Sequence, residues 1–394
     1  MGEWRKVKLG ELYEVHNGLS KGRQFFGTGF PFLTFSNVFN NWFLPNELDS
    51  LVQTTDKERE ACSIKYGDVF ITRTSETMNE LGMSSVALKD YPDATYNGFT
   101  KRLRPFTDKV LPNYIGYYLR SPKFRGKFMA FSSMTTRASL ANDNLLNMEI
   151  ELPPMDVQKK IATILSRYDS LIGNYQKQIK LLEEAAQRLY KEWFVNLRFP
   201  GHENTKIVDG VLEGWEKKKL ISIVDVQYGY AFDGHLFNDK GEGMPILRIR
   251  NIPDGYTKDY TTEQASSDYI VHKGDIVVGM DGIFHINTWS GDDAYLVQRA
   301  CSFRPHNEKL KGLIFQAIVE PIKFFEKTLV GATVAHLGKK HIDSIELLVP
   351  SKERLFAPLQ KMYKQRMTLL SQLRLLTESR DRLLPKLLSG EIEV

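Results

Sequence analysis

The chain has 394 residues, 42% of them hydrophobic, and 53 Lys and Arg against 48 Asp and Glu give a formal net charge of +5. This length allows two or three domains with ordinary cores, and no run of about 18 apolar residues is present to form a membrane-spanning helix. Only Cys62 and Cys301 occur, which excludes a disulfide framework and a cysteine-rich zinc site.

The charged opening of Glu3, Arg5 and Lys6 predicts no secretory leader, so a cytoplasmic location is expected. The small positive excess favours an anionic partner without deciding the matter.

In chain order, nearly every element occurs twice, about 200 residues apart, which is a duplicated domain and not a solenoid repeat. The opening Trp4 to Leu9 is echoed by Trp215 to Leu220, and Phe32 to Val38 by Ile246 to Ile252. Gly67-Asp68-Val69-Phe70-Ile71 returns as Gly274-Asp275-Ile276-Val277-Val278, and Glu149 to Pro153 as Glu346 to Pro350. Between these landmarks the first copy reads as an α/β module. Phe70-Ile71-Thr72 and Ser84 to Leu88 have strand character, Asn17-Gly18 and Asn97-Gly98 mark turns, and Leu111 to Lys127 is expected to be one helix.

After each module comes a heptad pattern. In the first, Ile161, Tyr168, Tyr175, Leu182 and Leu189 form one row, and Leu165, Ile172, Ile179, Ala186 and Trp193 the other. In the second, the rows are Leu355, Met362, Leu369, Leu376 and Leu383, and Leu359, Arg366, Leu373, Arg380 and Leu387. Helices this long need a partner, and the duplication points to the other copy. The expected fold is therefore two α/β (α+β) modules joined by two long helices in an antiparallel coiled coil, with pseudo-twofold symmetry. The boundaries read as 1–153 and 201–350 for the modules, and 154–200 and 351–394 for the helices.

No catalytic motif emerges. The sequence has no Gly-x-x-x-x-Gly-Lys-Ser/Thr loop, no Gly-x-Gly-x-x-Gly turn, no His-Glu-x-x-His and no Cys-x-x-Cys. The one Pro-Pro pair, Pro153-Pro154, follows Leu152, so the Asn/Asp-Pro-Pro-aromatic tetrapeptide of amino-methyltransferases is missing. Glu216-Lys217-Lys218 has a nuclease-like spacing of the kind any lysine-rich stretch produces.

At the helix entrance the chain reads Pro153-Pro154, then Gln158, Ile161-Ala162-Thr163-Ile164-Leu165 and Asp169, and it exits through Trp193-Phe194-Val195. This closely resembles the central spacer of specificity subunits of type I restriction–modification systems. The paired Trp openings, the Gly-Asp strands and Gly331 to Leu337 are similar to that family too. The second helix departs from the pattern, with Ser351 to Arg354 in place of the Pro-Gln entrance and Pro385 to Leu388 at the exit.

The resemblance implies a non-catalytic subunit that binds double-stranded DNA, each module being a target-recognition domain for half of a bipartite, asymmetric sequence. It implies two modification subunits carrying S-adenosylmethionine for adenine methylation, and restriction subunits using ATP and Mg. No cofactor or metal is expected in this chain.

Base and phosphate contacts need Arg, Lys, Asn, Gln, Ser or Thr. In the first module the candidates are Lys21, Arg23, Thr72, Arg73, Thr74, Lys101, Arg102 and Arg137, beside a basic run at Arg120, Lys123, Arg125 and Lys127. In the second they are Arg248, Arg250, Asp281, His285, Arg299, His336 and Lys339. The loop after the Gly-Asp strand stands out, because Thr72-Arg73-Thr74 and Gly279-Met280-Asp281 are what two readers of different half-sites would carry. The alternative is a coiled-coil scaffold without DNA binding. Sequence-dependent DNA affinity that falls steeply with salt separates the two.

Overall fold

The structure is a computed structural model, and it describes residues 4–75, 81–131, 138–139, 141–208, 211–329 and 335–394. The chain forms two compact units, Met1–Leu171 with Leu376–Val394, and Ile172–Leu375.

Each unit is built on a four-stranded antiparallel sheet, and the strand order is the same in both. In the first unit it runs Tyr13–Asn17, Thr100–Pro105, Val69–Thr72, Ser84–Val86. In the second it runs Val224–Tyr228, Ala300–Pro305, Ile276–Gly279, Ile286–Thr288. A second sheet in each unit holds one parallel pair, Phe26–Leu33 beside Thr95–Tyr96 and Met244–Leu247 beside Ala294–Leu296. Each unit is clasped by a pair of strands from the two ends of its module, Arg5–Lys8 on Glu149–Leu152 and Trp215–Lys219 on Glu346–Pro350. The duplication read from the sequence is thus a duplication of topology.

The repeated Gly-Asp pair has a structural reason. Gly67 and Gly274 sit at φ +86 and +92, where a side chain is strained. The aspartate that follows is buried. Asp68 accepts hydrogen bonds from the Lys65 backbone N–H at 2.7 Å and from Arg104 Nε and Nη2 at 2.8 and 2.7 Å. Asp275 accepts from His272 N–H at 2.9 Å and Arg304 Nε at 2.8 Å. Burying a carboxylate is costly unless it is paired, so each module supplies an arginine from the neighbouring strand.

The helix expected over Leu111 to Lys127 is two helices, Pro112–Tyr118 and Pro122–Phe131. The break falls at Ser121-Pro122. Ser121 Oγ accepts from the Phe124 N–H at 3.3 Å and so starts the second helix, and proline fits the first helical turn. Tyr114, Tyr117 and Tyr118 are buried in the core of the first unit.

The long helices span Met155–Tyr190 and Ala357–Ser389. In the first unit Ile161, Ala162 and Leu165 share a core with Leu384, Leu387 and Leu388. Arg380 Nη1 there donates to Asp169 Oδ1 at 2.9 Å, and Asp169 Oδ2 also accepts from Tyr117 Oη at 2.6 Å. In the second unit Ala186 shares a core with Leu355, Leu359 and Tyr363, and Arg366 Nε donates to Glu183 Oε1 at 2.6 Å. Within each unit the two helical segments therefore run antiparallel. Arg366 and Arg380 interrupt the apolar row because each has an acidic partner on the first helix.

Of the expected seam, Ile161, Leu165, Ile172, Ile179, Leu359 and Leu369 are buried. Tyr168, Tyr175, Leu182, Leu189, Met362, Leu373, Leu376 and Leu383 are half-buried. Leu355 is buried but lies in the short turn Glu353–Leu355 ahead of the helix. In the second helix Leu359 and Leu387 of the predicted row are nearly fully buried, and Tyr363 and Leu384, each one place beyond a predicted position, are buried beside them.

The helix entrances are more alike than the sequence suggested. Gln158 is fully buried, accepts from the Leu111 N–H at 2.8 Å, and donates to the Lys109 and Pro153 carbonyls at 2.9 Å each. In the second unit Gln360 accepts from the Gly312 N–H at 2.8 Å. The Pro-Gln entrance is therefore displaced to Pro358 and Gln360 by the extra turn Glu353–Leu355. A Cβ on Gly312 would lie 2.4 Å from the Leu359 carbonyl oxygen, so only glycine lets the helix approach this closely.

The exit is held by aromatic packing. The Asn196 N–H reaches back five residues to the Lys191 carbonyl at 2.8 Å, widening the last turn. Phe194 there meets Tyr190 and Trp215 at ring distances of 5.4 and 5.3 Å. The Trp-Phe exit thus packs on the Trp that opens the second module.

Candidate nucleic-acid interface

The loop that follows the Gly-Asp strand has the same surroundings in both modules. The Arg73 N–H donates to the Phe99 carbonyl at 2.9 Å, and the Met280 N–H donates to the Arg299 carbonyl at 2.8 Å. Beyond it, the strand Thr74–Ser75 pairs with Ala138–Ser139, and Asp281 bridges to His336. Glycine lets a second loop pack against this turn, because a Cβ on Gly18 or Gly229 would lie 2.2 or 2.1 Å from the carbonyl oxygen of Asn97 or Val297.

In the second module three of the candidate residues come together. Asp281 forms an ion pair with Arg299 Nη1 at 2.8 Å and pairs with His336 Nδ1 at 2.5 Å. The carboxylate is largely covered while the Arg299 guanidinium and the His336 ring reach solvent. Arg299 is one of three non-glycine residues with positive φ among those described, at +69. A bulky residue in that region costs of order 1–3 kcal/mol and persists only where its surroundings enforce it.

The other second-module candidates are more separate. Arg250 forms a two-toothed pair with Asp259, Nη2 lying 2.7 Å from both oxygens. Arg248 lies over the Phe237 ring at 5.1 Å. His285 is half-buried and lines an open groove with Ile283, Lys323 and Glu326. Lys339 is exposed at the start of the short helix Lys339–Asp343.

In the first module Arg73 stands beside Asn17, its Nη1 at 3.5 Å from Oδ1. Lys101 is buried against Asn142, and burial, with the charge of Arg73 adding to it, lowers its pKa. Arg23 is exposed on the short turn Arg23–Phe25. Lys21 is held by the Gln53 carbonyl at 2.7 Å and by Glu58 at 2.8 Å.

Two candidates are structural in their present contacts. Thr72 is fully buried and its Oγ1 accepts from the Met83 N–H at 2.9 Å. Arg102 is buried and donates to the Ser63 carbonyl at 2.6 Å. The side chain of Thr74, and Arg137 altogether, lie outside the described residues.

The basic run at 120–127 is also taken up by the fold. Arg120 donates to the carbonyls of Ser84, Val38, Phe39 and Asn41, and burial pushes its pKa down to about 10. Arg125 donates to the Leu81 carbonyl at 2.6 Å, and Lys123 and Lys127 pair with Glu151.

Sequence reasoning passed over Phe99. Its ring is 62% exposed at the tip of the Asn97-Gly98 turn, beside Arg73. A large apolar residue directly after an Asn-Gly turn was the available signal.

The surface is polar, basic in part and carried on two copies of one frame. Among the described residues no group of three or more His, Cys, Asp or Glu is placed to hold a metal ion, and no helix is long and apolar enough to cross a membrane. The sequence profile of the type I restriction modification DNA specificity domain matches residues 1–184 and 212–380. The chain belongs to this DNA specificity family.

Relatives agree along its whole length. The type I restriction enzyme MjaIX specificity subunit of Methanocaldococcus jannaschii is 25% identical over 100% of this chain and 94% of its own. The HindI specificity subunit of Haemophilus influenzae is 22% identical, with all of both chains covered. The crystal structure of a type I restriction-modification S subunit from M. genitalium shares the fold, with a TM-score of 0.60 at 13% identity over 98% of this chain and 96% of that one.

A specificity subunit recognises a DNA target and leaves catalysis to its partners, which agrees with the absence of catalytic motifs in this sequence. Nothing in these likenesses favours a scaffold that does not bind DNA.

Proposed function

We propose that the two modules of this specificity subunit each read one half of a bipartite, asymmetric sequence in double-stranded DNA. The observation that carries this reading is the pairing of one repeated frame with different side chains at its loop tips. Phe99 and Arg73 stand in one module where Arg299 and Met280 stand in the other. Identical frames would otherwise read identical half-sites.

On this reading two modification subunits bind S-adenosylmethionine and methylate adenine at the site the chain selects. Restriction subunits, with ATP and Mg, add translocation and cleavage. The chain itself binds no cofactor and acts in the cytoplasm, where the DNA is. A competition series with the assembled methyltransferase tests the reading. Binding should fall steeply with salt, as phosphate contacts require, and should prefer the target over scrambled DNA by about a thousandfold or more. Salt-dependent binding with no sequence preference would overturn it.

A further inference from the structure

We propose that residues 99 and 299 occupy one equivalent base-reading position, at which Phe99 takes a thymine methyl group and Arg299 takes a guanine. This deepens the bipartite reading above and rests on it.

The equivalence is geometric. Each residue receives the backbone N–H of the loop residue after the Gly-Asp strand. Each directly precedes a strand that begins with a fully buried residue, Thr100 or Ala300. Both side chains reach solvent, Phe99 at 62% and Arg299 at 66% exposure.

The turn is fixed before any ligand arrives. In the first module the Phe99 N–H donates to Asn97 Oδ1 at 2.7 Å, the Gly98 N–H to the Leu19 carbonyl at 2.8 Å, and Thr100 Oγ1 to the Asn97 carbonyl at 2.7 Å. In the second the Gln298 N–H donates to the Tyr230 carbonyl at 2.7 Å and the Gly229 N–H to the Ala300 carbonyl at 3.0 Å. A pre-set turn pays little ordering entropy on binding.

The chemistry then differs by side chain. Phe99 offers a largely exposed ring as an apolar contact surface. In the major groove the thymine C5 methyl is the apolar feature. Arg299 is held at one corner, Nη1 on Asp281, while Nε and Nη2 have no protein partner among the described residues. Two parallel N–H donors in a fixed fork are what the O6 and N7 acceptors of guanine require. Asp281 is a positioning residue here, orienting the fork.

The test uses the complete methyltransferase complex, with its target first read from the methylated adenines of cells carrying the system. The half-sites are then scanned with uracil in place of thymine, which removes only the methyl group, and with 7-deazaguanine in place of guanine, which removes only N7. One uracil in one half-site should weaken wild-type binding about fourfold and have no further effect on Phe99→Ala. One 7-deazaguanine in the other half-site should behave the same way toward Arg299→Ala. Asp281→Ala should lose part of the Arg299 effect at that same base.

The proposal is overturned if either variant weakens binding equally on all sequences, or if the analogue and the variant act independently. Loss of that kind with sequence preference intact leaves the bipartite reading standing. A wild-type complex with no sequence preference defeats that reading first. Circular dichroism and complex assembly of each variant separate a misfolded loop from a lost contact.

Discussion

In the first module the turn before the returning strand presents a phenyl ring, and in the second a guanidinium, yet the frame beneath both turns agrees in strand order and hydrogen bonds. The buried Asp–Arg pair recurs as Asp68–Arg104 and Asp275–Arg304, and the clasp as Arg5–Lys8 and Trp215–Lys219. The side chains at the tips do not recur. Duplicated architecture of this kind separates what must be kept to fold from what is free to change the sequence read.

The largest expected effect breaks the frame. Asp68→Ala and Asp275→Ala each leave a partly buried guanidinium without its carboxylate, and removing one partner of a buried pair costs about 3–5 kcal/mol. Urea unfolding of both variants should show losses of similar size. A large loss at one site and none at the other would mean the two frames are not equivalent.

The helix entrances sharpen the comparison in the opposite direction. Gln158 makes three hydrogen bonds from a fully buried position, and Gln360 has one. Gln158→Ala should cost roughly 2–3 kcal/mol, and Gln360→Ala about 1 kcal/mol. Thermal melts of the two variants check the ranking.

At the tips, Arg73→Ala should weaken recognition of the first half-site by about 1–3 kcal/mol and leave the second unchanged. A uniform loss on every sequence would make Arg73 a phosphate contact or a fold residue. Titration with matched and half-mismatched duplexes distinguishes these outcomes.

The smallest effect is electrostatic. Glu151 pairs with Lys123 and Lys127, and the hydrogen bond from Lys123, opposed by burial, holds its pKa below the ordinary 4.5. A lowered carboxylate pKa stabilises the fold above the unfolded value and loses that contribution as pH falls through the folded value. Glu151→Gln should therefore flatten the acid side of the stability profile below about pH 5, by roughly 1 kcal/mol or less. The corresponding strand position in the second module is Leu348, so no such term arises there.

Much of the fold was legible because its signals are local. The Trp openings, the Gly-Asp pairs, the prolines and the heptads each lie within a few residues of one another, and their recurrence marked the duplication. The basic residues were harder to sort. Arg102, Arg104 and Arg120 look like surface cations in sequence, but their partners lie 36 to 82 positions away, at Ser63, Asp68 and Val38 among others. Only the folded chain distinguishes a guanidinium that caps carbonyls from one that meets solvent. The displaced entrance at Gln360 was hidden for a related reason, since the turn Glu353–Leu355 shifts the match without leaving a gap visible in one sequence. The helix break at Ser121-Pro122, by contrast, was readable from the dipeptide itself.

The central claim is that each module reads its own half-site. The most direct measurement exchanges residues 1–150 for those of a relative, introduces the chain with its partner subunits into cells, and sequences the methylated adenines. One half-site should change, and the other should remain as it was. A target that changes in both halves, or in neither, would contradict the account.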